Sequence, residues 1–260
     1  MTVPFAPVTI AALRAEEAFV HGFSPRHIEW ENGQSRDLDF GRNAGREAWR
    51  GDLVAYLGAL GIAGDSVFGV HQVHGDRVHV VSRPSFSLPG KGPVQADAIV
   101  THLADFPIAV LTADCIPVVL YDPHRHVTGV VHAGRLGTAL HIVSRAVAAL
   151  KENYGSRPED LIAGLGPGIC GACYEVDEVS IDPFRHGFSG WENWTVPQAD
   201  GKFLLDLLAA NREDLTGAGV PLAQIHQTSF CTSCHNDGFF SYRKEGARGR
   251  MMTLAMLTPR

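Results

Sequence analysis

The chain has 260 residues, 45% of them hydrophobic and 19% charged, which is the length and composition of one large globular domain or two small ones. Its net charge of −6 argues against binding to nucleic acid, and no apolar run is long enough to span a membrane. The N-terminal residues lack the basic and apolar regions of a secretory signal, so we expect a cytoplasmic protein.

The N-terminal third is predicted to contain a strand, a helix and a hairpin. A short apolar strand at 19–23 leads into a turn that contains Pro25. Apolar residues recur over 42–60 at steps of mostly three and four, which predicts a helix that ends at Gly61. Two strand-like runs then flank His74, and the Gly-Asp pair that follows it indicates the turn of a hairpin.

The central part of the chain is predicted to be rich in strands. The runs at 108–114 and 127–132 are mostly apolar rather than alternating, which is typical of strands covered on both faces. Cys115 follows the first of these runs and His132 ends the second, so we expect a thiol and an imidazole at the tips of buried strands. The predicted strands of this part lie at 97–101, 108–114, 117–121 and 127–132.

The C-terminal part is predicted to alternate between helices, strands and irregular segments. A helix over 138–154 carries an apolar stripe, and Gly155 is its stop signal. Proline and tryptophan residues predict an irregular segment at 180–200. Neither an internal repeat nor a linker divides the chain, so we predict one domain over residues 1–260. The remaining predictions are a strand from 161 into a glycine-rich turn at 164–168, a helix at 204–216, and strands at 225–230, 239–243 and 252–257.

Cys115 and His132 are the first candidates for a functional site. A thiolate and a neutral imidazole are both good zinc ligands, and a catalytic zinc site needs three protein ligands. His74 fits best as the third ligand because it lies in a turn, and His71 and His79 are alternatives. Without a metal, the same thiol and imidazole are a candidate nucleophile and base. The chain has no compact metal motif such as HExxH, so a buried apolar thiol and a hydrogen-bonded core histidine stay open as an alternative.

Two CxxC pairs, Cys170/Cys173 and Cys231/Cys234, contain the other four of the five cysteines. Four cysteines in two such pairs can hold structural zinc. Residues 174–230 separate the pairs, however, which is far more than the roughly 15–20 residues of a zinc ribbon. A thioredoxin-like role would need a CxxC that opens a helix after a strand, and neither pair shows this context. We therefore predict structural or incidental thiols and no disulfide framework.

Charged residues beside the thiol and towards the two chain ends are further candidates. Asp114 precedes Cys115 and is a candidate proton carrier, although neighbouring residues of a strand usually point to opposite faces. An arginine at a strand end can clamp phosphate or carboxylate, which makes Arg243 and Arg250 candidate anion ligands. Charge alone also admits Arg26. The alternative for all three arginines is a surface cation.

Six short motifs follow one another along the chain. They are His71-Gln-Val-His74-Gly75, Ala96-Asp97-Ala98, Leu111-Thr-Ala-Asp-Cys115-Ile-Pro117, Val131-His-Ala-Gly134, Gly164-Leu-Gly-Pro-Gly168 and Phe239-Phe-Ser-Tyr-Arg243. This set resembles the laccase-domain family, also called the multicopper polyphenol oxidase or peptidoglycan-editing-factor family. The resemblance covers about 21–257 and is strongest over 71–137. Arg135 and Leu136 replace the tryptophan and arginine of the family's HAGWRG, and the Gly-Gly-Val-Ser loop that follows the N-terminal arginine, here Arg26, is missing.

The resemblance carries expectations for fold, cofactor and activity. It implies a single α/β (α+β) domain with mixed sheets flanked by helices, related to bacterial deamidating toxins that have a Cys–His pair. It also implies a zinc site made by the histidine of QVHG, the cysteine of TADC and the histidine of HAG, which are His74, Cys115 and His132. Members of the family phosphorolyse purine nucleosides, with adenosine deaminase activity in the same site.

The leading prediction is therefore a zinc-dependent purine nucleoside phosphorylase that acts on adenosine and inosine, with adenosine deaminase activity. Cys115, His132 and Asp114 are the predicted catalytic residues, and Arg26 and Arg243 are the predicted substrate ligands. The predicted partners are a purine nucleoside and phosphate, with no nucleic acid and no membrane. The oligomeric state stays open.

Three other functions stay open. A metal-free cysteine hydrolase or amidase would use Cys115 as nucleophile and His132 as base, and could edit cell-wall precursors. Copper-dependent phenol oxidation would need several histidine ligands, often in HxH pairs, and His124 and His126 form the one such pair. The third is a zinc-stabilised binding protein without catalysis.

Overall fold

Apolar runs and amphipathic segments form the strands and helices of the protein. The structure, a computed structural model, describes residues 6–29, 35–41, 45–85 and 87–260. The strands are β1 (Phe19–Phe23), β2 (His27–Glu29), β3 (Ser35–Asp37), β4 (Phe68–Gly69), β5 (Val78–Val81), β6 (Ala98–Thr101), β7 (Ile108–Thr112), β8 (Ile116–Asp122), β9 (Val127–Ala133), β10 (Ile162–Leu165), β11 (Glu175–Val176), β12 (Thr195–Pro197), β13 (Phe203–Leu205), β14 (Ile225–Gln227) and β15 (Met251–Leu257). The α-helices are α1 (Ala11–Arg14), α2 (Arg46–Ala59), α3 (Arg135–Ala139), α4 (Ile142–Tyr154), α5 (Glu178–Gly187), α6 (Leu207–Gly217) and α7 (Tyr242–Glu245). Short 3₁₀ helices lie at Pro158–Asp160, Gly171–Cys173, Trp191–Trp194, Ala199–Gly201 and Leu222–Gln224.

A six-stranded mixed sheet with the order β14-β10-β8-β9-β6-β5 lies at the centre of the protein. Strands β8 and β9 form an antiparallel pair, whereas β5 runs parallel to β6 and β14 parallel to β10. Every residue of β8 and β9 is buried, which for β9 confirms the prediction from the apolar run at 127–132. Val118 and Leu120 belong to the core that α4 and α6 cover, and Val119 and Tyr121 belong to the core shared with a second sheet. The reason is that successive strand residues point to opposite faces.

The second sheet has four strands in the order β1-β15-β7-β4. One face packs on the central sheet through residues such as Phe23 and Val110. The other face is covered by α2, whose Leu53 shares a core with Met252 and Leu254 of β15. Helices, two sheets and a further helix thus form successive layers, which confirms the predicted α/β class with mixed sheets flanked by helices. None of the helices in the described part is long and apolar enough to cross a membrane.

The hairpin predicted around His74 is wrong. Strand β4 pairs with β7 in the four-stranded sheet, whereas β5 pairs with β6 in the six-stranded sheet. The turn that contains His74 therefore crosses from one sheet to the other. The Gln72 side chain continues the pairing beyond β4, because its Nε2 donates to the carbonyl of Leu111 at 2.7 Å and its Oε1 accepts the N–H of Leu111 at 2.8 Å.

The helix predicted over 138–154 is divided into α3 and α4. His141 lies between them in the left-handed region with a φ of 61°. This conformation is compatible with two contacts of the His141 ring, since Nδ1 lies 2.7 Å from Asp214 Oδ1 and Nε2 lies 3.0 Å from the carbonyl oxygen of Gly187. Gly155 ends α4 in a left-handed conformation, as predicted.

Two other C-terminal predictions are wrong. The segment 180–200 is not irregular, because α5 extends to Gly187 with Pro183 inside it. Asp177 caps this helix, and its side chain accepts the N–H of Ser180. The segment 239–243 does not form a strand, since Tyr242 begins the short helix α7. The other predicted strands and helices lie within three residues of the predicted bounds, except that residues 42–44 of the predicted helix lie outside the described residues.

Candidate functional site

His74, Cys115 and His132 converge on one point, and their ligand atoms all lie within 4.8 Å of one another. The side chains come from the turn between β4 and β5, the turn between β7 and β8, and the end of β9. The register of β8 and β9 pairs Pro117 with His132, which brings Cys115 beside the end of β9. The rings of His74 and His132 have centroids 4.7 Å apart and stand at 83° to each other.

Gly134 leaves the space that these three side chains need. A Cβ added at this residue would lie 3.0 Å from His74 Cδ2 and 3.1 Å from Cys115 Sγ. The backbone φ of −76° is accessible to any residue, so close approach rather than conformation is the reason for glycine. One thiol and two imidazoles are a donor set typical of zinc, and three protein ligands leave a fourth position for water or substrate. The residues present therefore fit a zinc ion.

The Asp97 carboxylate contacts both segments that carry the candidate histidine ligands. Its Oδ1 lies 2.8 Å from His132 Nδ1 and accepts the N–H of His74 at 2.9 Å. Its Oδ2 accepts the N–H of Gly75 at 2.7 Å. A carboxylate on Nδ1 orients a histidine so that Nε2 is free for a metal. Asp97 belongs to the motif Ala96-Asp97-Ala98, but the motif does not predict this role, because tertiary packing brings β6 and the His74 turn together.

The charges of the site favour a thiolate beside an imidazolium when no metal is bound. Burial raises the pKa of Cys115, but the charge of His132 and hydrogen bonds from His132 and His74 lower it to about 6. Burial lowers the pKa of His132, but the Cys115 thiolate and the Asp97 carboxylate raise it to about 9. Burial also raises the pKa of Asp97, and its hydrogen bonds hold it below the usual value. This pairing lets the thiol serve as a metal ligand or as a nucleophile near neutral pH.

The three candidate ligands open into a cavity of about 840 Å³. Four cationic side chains line the cavity, and they are Lys91, Arg135, Arg243 and Arg250. Aromatic side chains, Phe40, Tyr174 and Tyr242, line it as well. The Arg243 guanidinium lies 4.9 Å from the ring centroid of Tyr174. The cavity thus combines a donor set that could hold a metal ion with positive charge and flat apolar surfaces.

The two residues that depart from the family motif also line this cavity. Arg135 begins α3, and its Nη1 donates to the carbonyl of Ser180 at 3.2 Å. Leu136 is partly exposed on the same wall. An arginine is therefore present at the cavity although its position is one residue earlier than in the family motif.

Asp114 lines the cavity but its carboxylate is engaged in holding neighbouring segments. Oδ1 accepts the hydroxyl hydrogen of Thr232 at 2.6 Å, and Oδ2 accepts the backbone N–H of Arg243 at 2.6 Å. The residue lies in a turn with a φ of 82° rather than in a strand, so the alternation of strand side chains does not apply to it. These bonds place the helix that carries Arg243 against the turn that carries Cys115.

Arg26 and Arg243, the two predicted substrate ligands, have different surroundings. Arg243 reaches the cavity, where its Nη1 donates to the carbonyl of Glu175 at 2.7 Å. Arg26 is buried and does not line the cavity. Its guanidinium contacts Asp37 at 3.0 Å and Glu245 at 3.1 Å, and lies 4.7 Å from the ring centroid of Phe240. Because Glu245 belongs to α7, Arg26 holds the helix that presents Arg243.

The other histidines considered as ligands lie elsewhere. Among the described residues, neither His71 nor His79 belongs to a group of three or more converging ligand side chains. The HxH pair is also outside these clusters: His124 is exposed, and Nε2 of His126 lies 3.1 Å from the carbonyl oxygen of Thr258. A second cluster of possible ligands consists of Cys170, Cys173, Cys231 and Cys234, which the fold brings together despite their separation in the chain.

The whole chain is similar to proteins that are named for enzymatic activities. The sequence profile described as multi-copper polyphenol oxidoreductase laccase matches residues 20–258. A purine nucleoside phosphorylase of Deinococcus radiodurans is 38% identical over 203 residues, which cover 78% of this chain and 74% of that protein. Adenosine deaminase RL5, from an unknown prokaryotic organism, is 36% identical over 200 residues, with 75% and 76% covered.

Solved structures show the same fold. Hypothetical protein YfiH of Bacillus licheniformis superposes with a TM-score of 0.84 at 31% sequence identity, over 92% of this chain and 93% of that one. YlmD of Geobacillus stearothermophilus superposes with a TM-score of 0.82 at 27% identity, over 94% and 93%. The profile spans most of the chain and the relatives exceed 30% identity. The chain therefore belongs to the multi-copper polyphenol oxidoreductase laccase family.

Proposed function

We propose that this chain is a zinc-dependent purine nucleoside phosphorylase that acts on adenosine and inosine, with adenosine deaminase activity in the same cavity. The observation that carries the proposal is the convergence of His74, Cys115 and His132 in a cavity lined by Arg135 and Arg243. The relatives named purine nucleoside phosphorylase and adenosine deaminase support it. When bound by these three ligands, zinc supplies Lewis-acid polarisation and activates water at neutral pH.

The cationic and aromatic side chains of the cavity suit the two substrates. Arg243 and Arg135 present guanidinium groups, which bind phosphate oxygens with two parallel hydrogen bonds. Tyr174 and Tyr242 offer flat faces on which a purine can stack. In phosphorolysis, a phosphate oxygen forms a bond to the ribose C1′ while the bond from C1′ to the purine nitrogen breaks. The electron pair leaves with the purine, which then takes up a proton.

Asp114 and Arg26 act in this proposal by placing other groups. Asp114 accepts the N–H of Arg243 and the hydroxyl hydrogen of Thr232, which orients α7 towards the cavity. Arg26 contributes through Glu245 of the same helix. A role for Asp114 as proton carrier stays a prediction. It requires one of its oxygens to exchange a present hydrogen bond for a contact with substrate.

The central experiment measures both activities on zinc-loaded protein. Adenosine or inosine with inorganic phosphate should give the free base and ribose 1-phosphate, and adenosine without phosphate should release ammonia. We expect Cys115→Ser to lower the rates of both reactions by at least about 100-fold, because it removes the thiolate ligand of zinc. Wild-type protein that forms no ribose 1-phosphate from either nucleoside would reject the phosphorylase.

Arg243 is expected to bind phosphate directly. Arg243→Ala should raise the KM for phosphate roughly ten- to hundredfold, since a hydrogen bond to a charged group contributes about 1.5–3 kcal/mol. The KM for the nucleoside should change less. Arg83→Ala removes an exposed cation that does not line the cavity and is the matched control. An equal effect of both variants would show that only net charge matters.

A second candidate function is a metal-free cysteine hydrolase or amidase that acts on cell-wall precursors. The lowered pKa of Cys115, to about 6, and the contact of His132 with Asp97 favour it. These residues form an arrangement of nucleophile, base and orienting carboxylate. Cleavage of an amide by zinc-free protein, lost in Cys115→Ala and inhibited by added zinc, would support this function against the first.

Copper-dependent phenol oxidation is a third candidate, and metal analysis tests it. Among the described residues, the clusters of possible ligands are one thiol with two imidazoles and four thiols, neither of which is a multicopper set of histidines. We propose zinc as the metal for this reason. Stoichiometric copper together with oxidation of a phenol would overturn the choice.

We further propose a cytoplasmic protein whose partners are small molecules. All five cysteines are free thiols, which agrees with a reducing compartment. Fractionation of cells that express the full-length protein tests the compartment. Recovery of the activity in the membrane or secreted fraction would contradict this part of the proposal.

A further inference from the structure

Four cysteines outside the cavity's metal-binding group form a compact cluster. The Sγ atoms of Cys170, Cys173, Cys231 and Cys234 all lie within 4.8 Å of one another, and those of Cys173 and Cys234 are 3.4 Å apart. Four sulfurs about 2.3 Å from a central zinc ion are about 3.8 Å from one another in a tetrahedron. The observed separations therefore need only small side-chain adjustments to surround such an ion.

Backbone hydrogen bonds in the cluster stabilise negative charge on sulfur. Cys231 Sγ accepts the N–H of Cys170 at 3.2 Å and the N–H of Cys234 at 3.4 Å. A sulfur that accepts two amide N–H groups is favoured as a thiolate, which is the form in which cysteine binds a metal ion.

Backbone contacts join the segments that carry the two CxxC pairs. Gly168 and Cys231 form a parallel β-bridge, and the N–H of Thr232 donates to the carbonyl of Gly168 at 3.0 Å. The chain between the two pairs contains α5 and α6, so the cluster joins the two ends of a long segment. A cross-link there stabilises the protein mainly by restricting the unfolded chain.

The cluster also adjoins the cavity through Asp114. The carbonyl of Asp114 accepts the N–H of Ile169 at 2.8 Å, one residue before Cys170. Its Oδ1 accepts the hydroxyl hydrogen of Thr232, one residue after Cys231. On the other side, Tyr174 follows Cys173 directly and lines the cavity. A rigid cluster would thus hold the turn that precedes Cys115 and one wall of the cavity.

We propose that Cys170, Cys173, Cys231 and Cys234 bind a structural zinc ion, separate from the ion expected at His74, Cys115 and His132. A site closed by four thiolates leaves no position for substrate, so its role is to stabilise the fold and the adjoining cavity wall. This inference is independent of the reaction that the cavity catalyses.

Metal content per chain tests the proposal on the full-length protein. We expect two zinc ions in the wild type, one in Cys115→Ser and one in the double variant Cys173→Ser/Cys234→Ser. Ser233→Ala alters the same loop without removing a thiol and should keep two. A double variant with as much zinc as the wild type, or a Cys115→Ser variant that holds no zinc, would overturn the proposal.

X-ray absorption at the zinc edge covers the case in which the double variant does not fold. In Cys115→Ser, which retains the cluster, the remaining zinc should have four sulfur neighbours at about 2.3 Å. Zinc with mainly nitrogen neighbours in this variant would contradict the proposal. So would iron in place of zinc, or a thiol titration of the denatured, chelator-treated wild type that gives three free thiols instead of five and thereby reveals a disulfide.

Discussion

At the scale of single residues, the candidate metal centre depends on Gly134, because this residue has no side chain. A Cβ at this residue would lie only 3.0 Å from His74 Cδ2 and 3.1 Å from Cys115 Sγ. The three candidate ligands were predicted from the sequence, because its motifs specify residue types. The close approach to Gly134 is a property of the packed site and could not be read from the motif.

Substitution of this glycine should weaken metal binding while the fold is kept. Overpacking costs about 1–3 kcal/mol, so Gly134→Ala should lower zinc affinity roughly ten- to hundredfold. Gly45→Ala is a matched control, because Gly45 also precedes a helix, has a φ of −60° and has nothing within 4 Å of an added Cβ. Competition with a chromophoric chelator measures both. Unchanged zinc affinity in Gly134→Ala would contradict the packing argument.

A second residue-scale prediction concerns His21 and pH. Burial, with the charge of Arg14, lowers the pKa of His21 to about 4, and its Nε2 accepts the N–H of Ile10 at 2.8 Å. The unfolded chain therefore binds more protons than the folded one between about pH 6.5 and 4, and stability falls as the pH falls through this window. The loss between pH 7.5 and 5 is about 2 kcal/mol.

Urea unfolding at the two pH values measures this loss. His21→Gln keeps an acceptor for Ile10 but does not titrate, so the variant should lose about 2 kcal/mol less than the wild type. His186→Gln, at an exposed position, should behave as the wild type. The same pH dependence in His21→Gln and wild type would exclude His21 as the cause.

At the scale of elements, short connections rather than long helices position the candidate ligands. The turn between β4 and β5 joins two sheets, and the Gln72 side chain and Asp97 hold it at its two sides. Local sequence indicated the strands on either side of the turn but not their partners. A Gly-Asp pair predicts a turn, whereas membership of a sheet depends on packing between distant segments. The hairpin prediction failed for this reason.

Loss of the Asp97 charge should weaken the contacts that hold both the turn containing His74 and the His132 ring. Asp97→Asn should lower zinc affinity roughly ten- to hundredfold, as expected for a residue that orients a metal ligand. Asp122→Asn is the matched control, because Asp122 is also buried and accepts the N–H of His124 and of Arg125 away from the site. If both variants lose the same affinity, general destabilisation rather than orientation is the cause.

At the scale of the whole molecule, the central sheet connects segments that are far apart in the chain. The candidate ligands at 74, 115 and 132 and the four-cysteine cluster meet around the ends of β8, β9 and β10. A ligand that binds the folded state and not the unfolded state stabilises the whole domain. Metal binding at these positions should therefore be visible in the thermal stability of the entire protein.

Zinc added to metal-stripped protein should raise the Tm. Free zinc at 1,000 times the dissociation constant contributes about 4 kcal/mol per site, which corresponds to roughly 8 °C or more for a domain of this size. Cys115→Ser should show a smaller shift than the wild type because one of its sites lacks a ligand. Scanning calorimetry at fixed free zinc makes the comparison. Equal shifts in both proteins would mean that Cys115 does not bind the metal.

The sequence by itself determined the mixed α/β class, the buried central strands, the family and the residue types of a candidate Cys–His metal centre. Hydrophobic periodicity and short motifs are local properties of the chain, so they can be recognised from the sequence alone. Only the tertiary structure decided that Asp97 supports two histidines, that Arg243 reaches the cavity while Arg26 holds its helix, and that two distant CxxC pairs meet. Each of these contacts joins segments that are remote in the chain, and the packing of sheets and helices sets their distance.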